Sequence, residues 1–220
     1  MTKRAHQGFK NREQAGASLG LALATDLPAG EYVVLGLLRG GVPIAAEVAR
    51  ALGSSLGALA VRKLGVPNNP ELAIGALATY HGQTARVLNE ELHRRVSRSF
   101  GPGPLEDAEI ETHEALEELA GKFADYAPEL EGRIVVVCDD GLATGATMKA
   151  GLELARRFKP SLLISAIPVA PPEELEELSS YADRTFALVR PREFTAVGAY
   201  YEDFAAVEED QVLELLRTIT

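Results

Sequence analysis

At 220 residues, with 46% apolar and 25% charged side chains, the chain has the length and composition of one large globular domain with a buried core. A net charge of −10 excludes general electrostatic binding to nucleic acid or an anionic membrane, and no apolar run approaches the roughly 20 residues of a membrane span. The single cysteine, Cys138, excludes an internal disulfide and suits a reducing compartment, so a cytoplasmic protein is expected. The charge is unevenly spread. Residues 106–131 carry ten acids against one base, whereas residues 1–63 carry eight bases against four acids. An anionic ligand could therefore still find a local basic pocket.

In chain order, residues 11–24 read as a helix with Asn11 as N-cap. Although Lys3 and Arg4 precede the small apolar run that follows, the polar Asn11-Arg12-Glu13-Gln14 stretch argues against a signal peptide. A strand follows over 32–38, then the tight turn Arg39-Gly40-Gly41, then a helix with Pro43 in its first turn and Gly53 at its end. A strand over 56–62 closes this βαβ unit. It ends in Arg62-Lys63, at the edge where open α/β sheets bind their ligands.

"GVPNNP" reads as a loop, and residues 72–78 and 84–88 as a hairpin whose turn contains Gly82. The hairpin interrupts the βα alternation. With two helices, 89–97 and 106–127, split by "GPGP", it makes residues 65–130 an excursion from the sheet.

Residues 133–158 are the centre of the reading. The apolar run Ile134 to Cys138 suits a strand buried on both faces of a parallel sheet. Asp139 and Asp140 follow, then a turn of small residues to Thr147. Met148, Gly151, Leu152, Ala155 and Phe158 then recur at helical spacing. The free N–H groups and dipole of a helix start favour an anion there. A bare phosphate pocket would not place two carboxylates at its lip, but a ligand with phosphate, sugar hydroxyls and a divalent cation would suit them. Beyond this lie strands at 162–169 and 184–189, a short helix at 172–180, an irregular aromatic-rich stretch at 190–207 and a closing helix at 208–219.

His6, His81, His93 and His113 show no metal-ligand spacing. No dinucleotide fingerprint follows a strand, and neither a Walker loop nor a nucleophile elbow is present, so dehydrogenase, NTPase and α/β-hydrolase readings drop.

The string "VVVCDDGLATGAT" resembles the hallmark of the type I phosphoribosyltransferases: an apolar strand, two acids, three residues, then Thr-Gly-x-Thr. The resemblance covers most of the chain. It implies one α/β domain over residues 1–220, with a doubly wound, mostly parallel sheet of five strands, the 65–130 excursion and a small hood at 190–207. In the narrower sense, "VRKLGVPNNPELAIGA", "VLNEE" and "VGAYYEDF" look like a bacterial group of phosphoribosyltransferases without a settled substrate.

The resemblance further implies a ligand set. Ala143, Thr144, Gly145, Ala146 and Thr147 would hold the 5-phosphate of phosphoribosyl pyrophosphate. Asp139 and Asp140 would face the ribose hydroxyls, whose oxygens also bind Mg²⁺. Arg39, Gly40 and Gly41, in a turn that often contains a cis peptide, would bind pyrophosphate, together with Arg62 and the catalytic candidate Lys63. The hairpin over 72–88 looks like the family's mobile lid. Tyr200 and Tyr201 are candidates to stack on the acceptor, and Asp203 to contact a second metal. The implied reaction transfers ribose 5-phosphate to an unidentified nitrogenous acceptor, with a homodimer as a possible assembly. Hypoxanthine-guanine enzymes carry an Asp where this chain has Ala143, and a Lys where "AIPVAPP" offers none, which counts against a 6-oxopurine. A non-catalytic sensor of phosphoribosyl pyrophosphate is the alternative.

Overall fold

The computed structural model describes residues 8–66, 69–101 and 103–219. Helix α1 (Arg12–Asp26) precedes β1 (Tyr32–Leu37), α2 (Gly41–Leu52) and β2 (Ser55–Val66). Next come β3 (Asn69–Tyr80), β4 (Gln83–Leu88), α3 (Glu90–Phe100) and α4 (Gly103–Lys122). The second half holds β5 (Ile134–Cys138), α5 (Ala146–Arg157), β6 (Leu162–Val169), α6 (Pro172–Leu178), β7 (Arg184–Val189) and α7 (Glu209–Thr218). The expected N-cap is present, the Asn11 side chain accepting from Gln14 N–H at 3.0 Å. At α7, Glu208 and Gln211 close a capping box. No helix among the described residues is long and apolar enough to cross a membrane.

The strands form one sheet in the order β4-β3-β2-β1-β5-β6-β7. Strands β2, β1, β5, β6 and β7 run parallel, while β3 and β4 join antiparallel. The family resemblance implied five strands; the sheet has seven, of which five are parallel, because the hairpin strands join it. Strand addition runs outward from β1 to β2 and then restarts on the other side of β1 with β5. The crevice between β1 and β5 is therefore the topological switch point.

Alternation along each central strand divides the core. Val33, Leu35 and Leu37 of β1 and Val135 and Val137 of β5 pack with Met148 and Leu152 of α5. Val34, Val136 and Cys138 face the other way, into a cluster with Leu19, Leu23, Val42 and Ile44 from α1 and α2. Burial on both faces is why these strands read as unbroken apolar runs.

The hairpin is part of the sheet rather than an excursion from it. The parallel ladder ends at Leu37↔Leu59, and the antiparallel ladder begins at the next residue of β2, Ala60↔Thr79. The second half of β2 would otherwise present an open edge, and β3 satisfies it. The expected loop "GVPNNP" is thus largely strand, with residues 67–68 outside the described ones. A third cluster, Leu64, Val66, Ile74, Val96 and Leu105, fastens α3 and α4 onto this ribbon. His81 and Gly82 take positive φ in the β3–β4 turn, as a two-residue hairpin turn requires. Neighbouring Tyr80 packs edge-on against Phe158, just past the C-terminal end of α5, with ring centroids 5.5 Å apart. That end lies roughly 18 Å of helical rise from Ala146, so the hairpin turn does not face the acids at the helix start.

Candidate active site at the switch point

Parallel register aligns Gly36 of β1 with Cys138 of β5, so the chain leaves both strands side by side. From β1 emerges the turn Leu38 to Gly41, containing a cis peptide between Leu38 and Arg39. From β5 emerge Asp139 and Asp140. The two turns touch. A Cβ at Gly40 would collide with Asp140 Oδ2, and one at Gly41 would lie 2.5 Å from the Cys138 carbonyl oxygen and 3.1 Å from Asp139 Cα. Both glycines are thus required by close approach: at Gly41 one backbone presses on the other, and at Gly40 the backbone presses on the Asp140 carboxylate that Arg12 holds in place.

The acids are partners with different surroundings. The Asp140 N–H donates to Asp139 Oδ1 at 2.9 Å. The guanidinium of Arg12 reaches Asp140 Oδ2 with Nε and Nη2, both at 2.8 Å. The Tyr201 hydroxyl donates to the Asp140 carbonyl at 2.6 Å. Burial pushes the Asp139 carboxyl well above the usual carboxylate range, and the neighbouring Asp140 charge adds to this, against the backbone bond and the cations Lys63 and Arg12. Burial also raises Asp140, but Arg12 opposes it directly through charge and hydrogen bond. Asp140 is the better-compensated anion of the two. Each acid has one oxygen engaged by the fold.

After the acids, the turn to α5 is held at its base and open at its crest. Leu142 N–H donates to the Val169 carbonyl at 2.9 Å, while Ala143 and Thr144 are exposed. Gly145 takes φ 67°, a conformation that favours glycine, and α5 starts with no side-chain cap. The N–H groups of its first turn are thus left for a ligand, with the helix dipole favouring an anion.

A cavity of about 530 Å³ lies over this point. Asp139, Asp140, Ala143, Thr144, Gly145, Thr147, Arg62 and Lys63 all line it, as do Val197 and Phe204 from the C-terminal stretch. One carboxylate pair, one uncapped helix start and two cations therefore share one space.

Other expected residues lie elsewhere. Arg39 lines an adjoining cavity of about 300 Å³ with Arg62 and Lys122, and its Nη1 is 3.6 Å from Glu208. Tyr200 is buried, donates to the Glu193 carbonyl at 3.0 Å and stacks on Phe194. Tyr201 is buried between Phe9 and Phe204. Neither tyrosine lines the acid-bearing cavity; Phe204 and Val197 do, because Val197 seats against Gly141 and draws the segment inward. Asp203 lines a separate cavity of about 450 Å³, and its carboxylate accepts from Ala205 N–H. Among the described residues, no three His, Cys, Asp or Glu side chains are grouped to hold a metal.

Arg12 was not anticipated from the sequence, though a signal existed. It sits on the same helical stripe as Ala15, Gly16, Leu19, Gly20 and Leu23, all buried. A charge on an apolar stripe implies a buried partner.

Comparison with known proteins agrees with this architecture. A family model described as phosphoribosyl transferase domain matches residues 10–203. Proteins from two strains of Mycobacterium tuberculosis, H37Rv and CDC 1551, provisionally named phosphoribosyl transferases, are 39% identical over 211 residues. That alignment covers 94% of this chain but 46% of theirs, so the chain spans about half the length of these curated relatives. The crystal structure of TT1426 from Thermus thermophilus is similar at a TM-score of 0.76 and 39% identity, covering 95% of this chain and 97% of that one. The chain belongs to the phosphoribosyl transferase domain family.

Proposed function

We propose that the chain is a phosphoribosyltransferase. It takes ribose 5-phosphate from phosphoribosyl pyrophosphate, passes it to a nitrogenous acceptor and releases pyrophosphate. One observation carries the reading: the half-buried Asp139–Asp140 pair shares a cavity with the uncapped start of α5 and with Arg62 and Lys63. A phosphate suits the helix start, a vicinal diol suits the two acids, and a second anionic group suits the cations.

In the reaction, the C1–O bond to pyrophosphate breaks and a C1–N bond to the acceptor forms. The proton on the attacking nitrogen is released. Positive charge grows on the sugar ring as negative charge grows on the leaving group. Asp139 and Asp140 orient the ribose and favour the first charge; Arg62 and Lys63 favour the second. The turn from Ala143 to Thr147 anchors the 5-phosphate, so that C1 is held at a fixed distance from the acids.

The donor set fits Mg²⁺. This ion is typically held by one or two carboxylates plus substrate oxygens, and the Asp139–Asp140 charge is opposed by burial, which a nearby cation would relieve. When bound, it neutralises charge on the leaving pyrophosphate. Asp203 lies outside this set. The acceptor is a nitrogenous compound other than a 6-oxopurine, since Ala143 brings no carboxylate to the turn.

The test is pyrophosphate release from phosphoribosyl pyrophosphate with a panel of nitrogenous bases, with and without Mg²⁺. Acceptor-dependent release is expected. Saturable donor binding with no release on any acceptor would replace the transferase reading with that of a sensor.

A further inference from the structure

One buried charge has no part in the transfer chemistry above. Arg12 is 9% exposed and stands behind the cavity rather than in it. Its Nε and Nη2 take the same oxygen of Asp140 at 2.8 Å. Its Nη1 donates to the Ala205 carbonyl at 2.7 Å, and its guanidinium carbon lies 3.9 Å from the centre of the Phe204 ring. Asp140 and Phe204 both line the cavity, so a single side chain grips two of its walls from outside.

We propose that Arg12 is a positioning residue, tying the C-terminal segment at Phe204 and Ala205 to Asp140 so that one buried contact sets both the donor-facing acid and the neighbouring wall. The proposal rests on the transferase reading for its effect on catalysis, but not for its effect on the segment. Residues 202–208 belong to no helix or strand. The backbone of the segment is joined to the N-terminal stretch by the Phe9↔Tyr201 bridge and by Asp203 N–H on the Lys10 carbonyl. Beyond that point, Arg12 does the work of regular structure. It also fixes which oxygen of Asp140 faces a ligand. Oδ2 is engaged by the guanidinium and backed by the close approach of Gly40, which leaves Oδ1. Tyr201 pins the backbone of the same residue through its carbonyl.

The geometry needs arginine. A planar fork can serve a carboxylate, a carbonyl and a ring face together, whereas a lysine ammonium is a point charge on a flexible stem. Lysine should therefore keep the charge and lose the coupling to the segment.

The experiment uses the full chain with Arg12→Gln, Arg12→Lys and, should Arg12→Gln fail to fold, Tyr201→Phe. Two quantities are read: kcat/KM for phosphoribosyl pyrophosphate, and amide hydrogen exchange without ligand. Expected for Arg12→Gln is a loss on the order of 100-fold in kcat/KM, the scale of a small misplacement at a reacting centre. Exchange should quicken across 202–206 and stay unchanged in β5 and α5. Arg12→Lys should recover part of the activity while 202–206 still exchanges fast. Tyr201→Phe should show a smaller loss of the same kind. Wild-type kcat/KM in Arg12→Gln would overturn the proposal. So would equal losses in the Gln and Lys variants with exchange quickened throughout, which would mean general destabilisation. If the wild-type chain does not turn over the donor, the transferase reading falls by itself. The exchange comparison then decides the tie: selective quickening at 202–206 supports it and its absence overturns it.

Discussion

The turn after β1 and the turn after β5 lie side by side at the switch point, yet the first is closed by the fold and the second is left open. Between β1 and α2, Gly40 and Gly41 are pressed against Asp139, Asp140 and the Cys138 carbonyl, with no room for a methyl group. Between β5 and α5, Ala143 and Thr144 stand exposed and the helix start has no cap. The contrast separates support from contact. One strand–turn–helix unit braces the acids; the other leaves its backbone open, as the proposed donor contact requires. Sequence alone treats both as glycine-containing βα turns, and only their mutual distance tells them apart.

The comparison can be broken first at Gly41. Gly41→Ala should cost about 3 kcal/mol in urea denaturation, because the new Cβ meets backbone atoms that cannot turn aside. A cost under about 0.5 kcal/mol would show that the β1–α2 turn is not a brace. Next in size is Asp140→Asn. Calorimetry should find phosphoribosyl pyrophosphate bound on the order of tenfold to 100-fold more weakly, in a chain that still folds but with a lowered unfolding midpoint, because buried Arg12 loses its carboxylate partner. Unchanged affinity would remove Asp140 from the site.

Asp139→Asn sharpens the picture through stability. The folded-state pKa of Asp139 is raised by burial and by Asp140, so between the ordinary carboxylate range and that raised value the native state holds more protons than the unfolded one. Its contribution to wild-type stability therefore falls as pH rises through this window. Asn carries no such charge and can keep the hydrogen bond from Asp140 N–H. The variant should be more stable at neutral pH by about 1 kcal/mol, a gain typical of relieving a functional site, and the gap should close on acidification. A gap that widens toward low pH would contradict the sign. The smallest effect belongs to the open turn: Thr144→Ala should change stability by under about 0.5 kcal/mol while weakening donor binding about fivefold, as for one lost hydrogen bond. A large stability loss there would mean that the open turn is also a brace.

Much of the site was legible because its parts are contiguous. Asp139 to Thr147 occupy one strand end, one turn and one helix start, so local patterning places them together. Arg62 and Lys63 were legible as a basic pair after an apolar run, although β2 continues past the expected end at these residues to Val66, because β3 pairs with its second half. The C-terminal residues were not. Tyr200 and Tyr201 were candidates to stack on the acceptor, but hydrogen bonds to Glu193 and Asp140 draw their hydroxyls inward. Phe204, three residues later, reaches the cavity instead. Nothing in a segment without periodicity says which of its rings points where.

By itself, the sequence determined the parallel α/β core, the order of its central elements and the acid–turn–helix unit, because apolar periodicity and turn chemistry act over a few residues at a time. The tertiary structure decided three matters. It paired the second half of β2 with β3, making seven strands of an expected five. It directed Arg39 toward Glu208 and an adjoining cavity. It also brought Arg12, 128 residues earlier in the chain, onto Asp140. Each depends on which distant surface closes over an unsatisfied edge or charge, and that choice is made by the packed chain as a whole.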